Sequence, residues 1–313
     1  MKVFLTGGSG MVGKNFLEHP DISNFDVFAP SHGALDLFNY QAVKEYITKI
    51  KPDIIVHAAG RVGGIHANMK YPVAFLIENL DMGRNIIYGA KECGVKKLIN
   101  LGSSCMYPRN AQNPLKEEMI LTGELEPTNE GYGLAKTVAA RLCSYISSEN
   151  SNYSYKTLIP CNLYGRWDKF SPKNSHMIPA VIRKINLAKE KNEKEVEIWG
   201  DGSARREFMY AGDLADCLIK AVFDFESLPD LMNVGLGYDL SINEYYESVA
   251  EVTGYKGEFT HDLTKPVGMS KKLVDISRQS EWGWSPKTGL KEGAKKTYDF
   301  FEKFIKNEEG VIQ

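Results

Sequence analysis

Cysteine is scarce in this chain: five of 313 residues, Cys93, Cys105, Cys143, Cys161 and Cys217. The number is odd, the positions are scattered and no Cys-x-x-Cys pair occurs, which argues against a disulfide framework and against a structural zinc site. Free thiols in a reducing compartment are expected, with the cytoplasm as the default address. No stretch approaches the roughly 20 apolar residues that span a bilayer, and the apolar start Met1-Lys2-Val3-Phe4-Leu5 is broken by Thr6-Gly7-Gly8-Ser9-Gly10 before it could serve as a secretory core. Surplus charge of either sign is also missing, since 38 Lys and Arg face 40 Asp and Glu. That balance leaves no broad positive field for nucleic acid or an anionic membrane, so any phosphate must be held locally.

What the chain does have is 43% hydrophobic residues, enough to bury one large core or two lobes. Short Val- and Ile-rich runs alternate with helix-period segments through the first half. The pattern predicts strands at Lys2 to Thr6, Phe25 to Ala29, Asp53 to Ala58, Lys97 to Gly102 and Tyr155 to Pro160. Helices are expected near 11 to 18, 39 to 49, 73 to 92 and 132 to 148, and an amphipathic closing helix over 288 to 305. Serial βα units of this kind define an α/β fold of Rossmann type, a doubly wound parallel sheet whose ligands lie beyond the carboxyl ends of its strands. After Gly165 the texture becomes polar and Pro-containing. The expected division is a dinucleotide-binding domain over 1 to 164, joined by returning segments near 205 to 235, and a smaller α/β substrate lobe with the closing helix over 165 to 313. The charged stretch 186 to 195 reads as a solvated helix end before a short strand ending in Trp199.

Gly7-Gly8-Ser9-Gly10-Met11-Val12-Gly13 follows the first strand directly and opens a helix. Glycine allows the backbone to turn sharply and approach a pyrophosphate, while the helix N-terminus offers free N–H groups and partial positive charge. A dinucleotide is the expected ligand. An NAD-specific site needs a carboxylate at the end of the second strand for the ribose 2′-hydroxyl, yet that region reads Ala29-Pro30-Ser31-His32-Gly33. The expected cofactor is therefore NADPH/NADP, with Ser31 and His32 beside the 2′-phosphate and Asp36 and Leu37 near the adenine. The competing reading of His32 is a solvent-exposed loop residue.

Tyr132 and Lys136 stand four residues apart, on one face of a predicted helix. A cation so placed can lower the tyrosine pKa and make the phenol a proton donor or acceptor near neutral pH. Tyr40 and Lys44 share that spacing but have no serine-bearing strand upstream, and read as surface helix. Before Tyr132, by contrast, the strand Leu98-Ile99-Asn100-Leu101-Gly102 delivers Ser103 and Ser104 to the carboxyl edge of the sheet, where Ser103 could bind the same substrate oxygen. Glycine turn, Ser103, Tyr132 and Lys136 in this order resemble the extended short-chain dehydrogenases, which implies an enzyme. A non-catalytic NADP sensor is the remote alternative.

Cys105 follows the serines and His176 opens the second lobe. A ketone at C4 of a sugar acidifies the protons on C3 and C5, so inversion there needs one group to remove a proton and another to return it from the opposite face. Either residue alone has a bland reading, the thiol as a small buried hydrophobe and the imidazole as a polar helix-start residue. Ser103-Ser104-Cys105-Met106-Tyr107-Pro108, Tyr132-Gly133-Leu134-Ala135-Lys136, Asn162-Leu163-Tyr164-Gly165, Asn174-Ser175-His176-Met177-Ile178-Pro179 and Ile198-Trp199-Gly200 with Arg206-Glu207-Phe208 together resemble the GDP-L-fucose synthase family in order and spacing.

The resemblance implies Ser103, Tyr132 and Lys136 for reduction of C4, and Cys105 and His176 for epimerisation at C3 and C5, their order as base and acid left open. It further implies that Leu101, Gly102, Ser103, Pro160, Asn162, Leu163 and His176 flank the nicotinamide, that Lys136 holds its ribose, and that Lys184, Trp199, Arg206 and Lys272 surround a GDP-linked 4-keto-6-deoxy sugar. A homodimer through the helices near 73 to 92 and 132 to 148 is implied as well. A 4,6-dehydratase would place an acidic pair where Cys105-Met106 stands, and a simple 4-epimerase would need neither thiol nor His176. Three departures point toward a related sugar such as a 6-deoxy-heptose: Lys184 where the family often has Arg, Val267 where it usually has Asp, and Arg166-Trp167 in place of Pro-His. Reduction alone, or epimerisation alone, on the same substrate class is the runner-up.

Overall fold

The computed structural model describes residues 1–171, 175–265 and 269–305. In chain order the elements are β1 (Lys2–Thr6), α1 (Met11–Leu17), β2 (Asp26–Phe28), α2 (Tyr40–Ile50), β3 (Ile54–His57), α3 (Ile65–Lys70), α4 (Pro72–Glu92), β4 (Lys97–Leu101), α5 (Glu130–Glu149), β5 (Ser154–Pro160) and β6 (Asn162–Tyr164). There follow α6 (Met177–Glu190), β7 (Glu195–Trp199), β8 (Arg205–Arg206), β9 (Phe208–Tyr210), α7 (Ala211–Phe223), β10 (Leu231–Val234) and β11 (Leu240–Ser241). The chain continues through α8 (Ile242–Thr253), β12 (Glu258–Asp262), β13 (Lys271–Lys272), α9 (Ser277–Glu281) and α10 (Leu290–Phe300).

Six parallel strands form the main sheet in the order β10-β5-β4-β3-β1-β2. Both faces are covered by helices, which is why β1, β3 and β4 are almost continuous apolar runs and not alternating ones. Connections leave β1 toward β2 on one side, and the chain then crosses to β3 on the other, so the crevice after β1 is the topological switch point. The glycine turn lies there. The segment after β9 returns to this layer: α7 packs on α1 and β10 adds the sixth strand beside β5.

The second lobe has its own core, in which Ile178, Ile182 and Ile185 of α6 meet Tyr245 and Val249 of α8 and Tyr298 of α10. Parallel β7 and β12 form one wall, while β8 lies between β11 and β13 in a three-stranded sheet. Local chemistry sets the helix ends: Ser241 and Glu244 form a reciprocal capping box at the start of α8, and Gly254 at φ +73 closes it. Tyr40 and Lys44 both bond Glu92 at the surface, where the Tyr40 hydroxyl donates at 2.7 Å and the Lys44 ammonium also lies at 2.7 Å.

Candidate active site

Backbone proximity explains the glycines after β1. Gly7 holds φ +74, and a Cβ there would stand 2.7 Å from the Ala59 nitrogen; a Cβ on Gly13 would stand 2.2 Å from the Gly7 oxygen. Any side chain at either position would open the turn. Gly10 precedes α1 and no side chain caps that helix, so its first N–H groups face outward and suit a phosphate. Ser9 is exposed, Met11 and Val12 are half-buried, and Val12 packs on the main core. Thr6 Oγ1 lies 2.8 Å from His57 Nδ1 and accepts the Ala59 N–H at 3.2 Å, tying the carboxyl ends of β1 and β3 together. Burial, and then the Lys136 charge, pushes His57 down to about 3, so the imidazole is neutral.

His32 lies exposed in the loop after β2. Asp36 is exposed too, its carboxylate accepting the Phe38 N–H at 2.9 Å, and the Leu37 carbonyl accepts from Asn85 Nδ2 at 2.9 Å. No carboxylate stands on the Ala29–Gly33 stretch.

At the end of β4 the chain leaves Leu101 and Gly102 and turns through a short 3₁₀ segment, Ser104–Met106, whose N-cap is Ser103; the Ser103 hydroxyl oxygen accepts the Cys105 N–H at 3.2 Å. Tyr132, in the first turn of α5, hydrogen-bonds Ser103 through its side chain. Lys136 follows one turn on, buried, with its ammonium donating to the Leu101 carbonyl at 2.8 Å and lying 5.9 Å from the centroid of the Tyr132 ring. Burial lowers the Lys136 pKa to about 8. The Tyr132 pKa moves the opposite way to the sequence expectation: burial and the neighbouring Cys105 raise it, and the Ser103 hydrogen bond only partly offsets them. Burial dominates, and no hydrogen bond joins Lys136 to the phenol to offset it, the ammonium being bonded to the Leu101 carbonyl.

Cys105 is held by two donors. Asn129 Nδ2 donates to its sulfur at 3.3 Å and Lys272 Nζ at 3.6 Å. Lys272 comes from β13, which β8 carries in parallel register with Lys272 opposite Arg206. Ser103, Cys105, Tyr132, Lys136 and Lys272 are thus linked in one cluster across the two lobes.

His176 occupies the N-cap position of α6, with Nδ1 3.5 Å from Asp168 Oδ1. No hydrogen bond joins it to Cys105. The loop Gly60–Gly64 lies between the two halves: a Cβ on Gly60 would stand 3.5 Å from Lys136 Nζ, and one on Gly64 would stand 3.1 Å from the Ser175 oxygen. Asn174 lies outside the described residues, as does Val267.

Beyond β5, Pro160 is buried, Asn162 and Leu163 are half-buried, and Asn162 Nδ2 donates to the Glu207 carbonyl at 3.0 Å. The Lys184 ammonium bonds the Glu197 carbonyl, and Trp199 Nε1 donates to the Glu197 carboxylate at 3.2 Å. Trp199 is 45% exposed and meets the edge of His66 from α3 at 5.7 Å, so α3 and β7 approach each other across the cleft mouth. Arg206 donates to the Arg205 carbonyl at 2.8 Å, and burial lowers its pKa while the Glu126 charge opposes the shift. Arg166 pairs with Glu18 at 2.9 Å and Trp167 Nε1 donates to the same carboxylate at 2.9 Å, so both are turned toward α1.

Three participants have no distinctive sequence signal. His57 looks like any strand-end histidine, and Asn129 sits in Pro127-Thr128-Asn129-Glu130, where its only mark is a helix start. Glu207 is named only as part of a motif, yet its buried carboxylate accepts N–H groups from Leu236 at 2.6 Å, Gly237 at 3.1 Å and Val274 at 2.9 Å.

A parallel sheet with a glycine turn at its switch point and a Ser-Tyr-Lys cluster at the next strand end defines a class, and the chain belongs to the NAD dependent epimerase/dehydratase family, whose model matches residues 3–235. Among individual proteins it is 54% identical to GDP-L-colitose synthase of Yersinia pseudotuberculosis over 301 residues, covering 96% of this chain and 98% of that one. It is 50% identical to GDP-L-fucose synthase of Azorhizobium caulinodans over 300 residues, 96% of each chain. Among solved structures, a GDP-6-OMe-4-keto-L-xylo-heptose reductase from Campylobacter jejuni matches with a TM-score of 0.89 at 31% identity, covering 96% of this chain and 97% of that one. A GDP-mannoheptose C4 reductase from the same organism, solved with NADP bound, matches at 0.86 and 34% identity, covering 96% and 98%.

Proposed function

We propose that the chain inverts C3 and C5 of a GDP-linked 4-keto-6-deoxy sugar and then reduces C4 with NADPH. The observation that carries this reading is the Cys105 thiol standing in the same cluster as Ser103 and Tyr132, held there by Asn129 and Lys272. Its GDP-L-fucose synthase relative supports this substrate, and its GDP-L-colitose synthase relative, named for a 3,6-dideoxy sugar whose C3 cannot be inverted, supports the GDP-linked 6-deoxy sugar class.

The glycine cradle and the uncapped start of α1 fit a pyrophosphate, Lys136 fits the nicotinamide ribose, and the absence of a carboxylate after β2 fits a 2′-phosphate. When bound, NADPH supplies the hydride that C4 receives. This chain's residues do the rest. Ser103 and Tyr132 donate hydrogen bonds to the C4 oxygen, which stabilises the negative charge formed when a proton leaves C3 or C5. Of Cys105 and His176, one removes that proton and the other returns one from the opposite face, so each inversion leaves the atom count unchanged. In the final step Tyr132 gives its hydroxyl proton to the C4 oxygen as the hydride arrives, and solvent restores the phenol. A phenol with a raised pKa suits that order, because it stays protonated until the alkoxide forms.

Lys184, Trp199 and Arg206 are the residues assigned to the GDP moiety, with Arg206 and Lys184 as the cations for its diphosphate. A heptose in place of the hexose is the second reading, favoured by the heptose reductases among the structural neighbours; Arg166 and Trp167, paired with Glu18 at the end of α1, do not bear on it. The protein acts in the cytoplasm as a homodimer through α4 and α5, which pack side by side and expose Val73, Ile77, Leu134, Val138 and Tyr145.

The test is GDP-4-keto-6-deoxymannose incubated with the protein in deuterated water without NADPH, with product read by NMR. Deuterium at both C3 and C5 is expected. NADPH oxidation by the same substrate with no label at either carbon would reduce the assignment to a C4 reductase.

A further inference from the structure

The segment that leaves β6 is tied to both lobes. Its Trp167 holds φ +67, a left-handed backbone that a bulky aromatic residue rarely adopts and that persists only where its surroundings fix it. Here the side chain is fixed on three sides. The indole Nε1 donates to Glu18 at 2.9 Å, the Lys14 ammonium lies 3.6 Å from the ring centroid, and Phe300 of α10 meets the ring at 4.7 Å. Lys14 belongs to α1 and Glu18 is its C-cap. The preceding residue is docked on the same helix: Arg166 pairs with Glu18 at 2.9 Å, and its carbonyl accepts from Asn15 Nδ2 at 3.1 Å. The following residue turns inward. Asp168 has a side chain only 3% exposed, and its Oδ1, 3.5 Å from Nδ1, is the one hydrogen-bond partner of the His176 imidazole among the described residues.

We propose that Trp167 is a positioning residue for His176: its indole, clamped on α1, keeps residue 167 left-handed, and that backbone turn aims Asp168 at the imidazole. The proposal rests on the reading of His176 as one of the two proton-transfer groups. A carboxylate on one ring nitrogen fixes the orientation of the ring and leaves the other nitrogen, Nε2, to exchange a proton with the sugar. Only one peptide unit separates the indole-bearing residue from that carboxylate. Without the clamp nothing holds residue 167 at positive φ, and its relaxation to an extended backbone turns Asp168 away from Nδ1. The imidazole then keeps its place at the start of α6 and loses its orientation. The helix that opens at the glycine turn thereby sets the geometry of an inverting group in the other lobe.

Two reactions of the same protein separate this role from general damage. The first is inversion at C5 of GDP-4-keto-6-deoxymannose in deuterated water without NADPH, followed by NMR. The second is oxidation of GDP-L-fucose by NADP⁺, in which hydride leaves C4 for the cofactor, the hydroxyl proton passes to Tyr132 and on to solvent, and no proton moves at C3 or C5. Trp167→Ala should slow inversion on the order of tenfold or more, the scale of a misplaced reacting group, and leave oxidation within about twofold. Trp167→Gly deletes the same ring but takes φ +67 without strain, so it should invert faster than Trp167→Ala, an order that lost packing alone would not produce. In Asp168→Asn, adding Trp167→Ala should cost less than about twofold more, since both changes break one contact. Equal losses in the two reactions by a Trp167→Ala protein that still binds NADPH overturn the proposal, as does Trp167→Gly no faster than Trp167→Ala, or full additivity with Asp168→Asn. If Trp167→Ala does not bind NADPH and so has not folded, Trp167→Gly decides: a ratio of inversion to oxidation below that of wild type supports the proposal, and an unchanged ratio overturns it. A wild type that oxidises GDP-L-fucose and inverts nothing overturns the underlying reading instead.

Discussion

Tyr132 and Lys136 share one helix face but not one environment. The phenol bonds Ser103 and is raised in pKa by burial, while the ammonium is lowered to about 8 and bonded to Leu101. The hydroxyl is thus protonated at neutral pH, and on the proposed mechanism its removal would strip the reduction step of its acid. Tyr132→Phe should lower kcat for NADPH oxidation by roughly 10²- to 10⁴-fold. NADPH affinity, measured by fluorescence titration, should stay within about twofold, because the residues of the glycine cradle are untouched. Normal turnover by this variant would remove the phenol from the mechanism.

At the scale of elements, Glu207 joins parts that are distant in sequence. Its carboxylate gathers N–H groups from 236, 237 and 274, its carbonyl accepts Asn162, and its neighbour Arg206 pairs in register with Lys272. Burial is the dominant influence on it and raises its pKa from 4.5 to about 7 against the opposing backbone N–H bonds. A carboxyl whose folded pKa lies above its unfolded value binds more protons folded than unfolded between the two. Its stabilising contribution is complete below about pH 4.5 and lost as pH rises through about 7. Over that window the loss is on the order of 3 kcal/mol, at about 1.4 kcal/mol per pKa unit. Glu207→Gln does not titrate, so chemical denaturation at pH 5 and pH 7.5 should find the variant's stability changing less with pH than the wild type's. Parallel pH dependences in the two proteins would show that the carboxylate is already paired well enough to cost nothing.

At the scale of the whole molecule, α4 and α5 present an apolar stripe to solvent, with Val73 72%, Val138 49% and Tyr145 61% exposed. Covering such a stripe with a second copy would remove it from water at about 25 cal/mol per Å² of apolar surface. Val138→Glu combined with Tyr145→Glu should convert a dimer of the 35.1 kDa chain to monomer in sedimentation equilibrium, with NADPH binding retained. A wild-type protein that sediments as a monomer would refute the assignment.

Much was legible from local pattern, because local pattern is what specifies it. The apolar runs at Lys2–Thr6 and Lys97–Leu101, the glycine turn and the Tyr132–Lys136 spacing each obey a rule of a few residues' range. Strand ends differ by a residue or so from expectation, as at Phe25 to Ala29, where only Asp26–Phe28 pairs, since pairing depends on a partner strand. The two-residue strands β8, β11 and β13 carry no period to detect, and only their mutual pairing makes them strands. By itself the sequence determined the parallel α/β scaffold, the glycine turn after the first strand and the choice of candidate reactive side chains, all properties of contiguous residues. Only the tertiary structure decided that Lys272 and Asn129 meet on Cys105, that Lys136 bonds Leu101 and not the phenol, and that Glu207 clamps three distant segments. Those contacts join residues up to 167 positions apart, and hydrogen bonds across such separations exist only after the chain has folded.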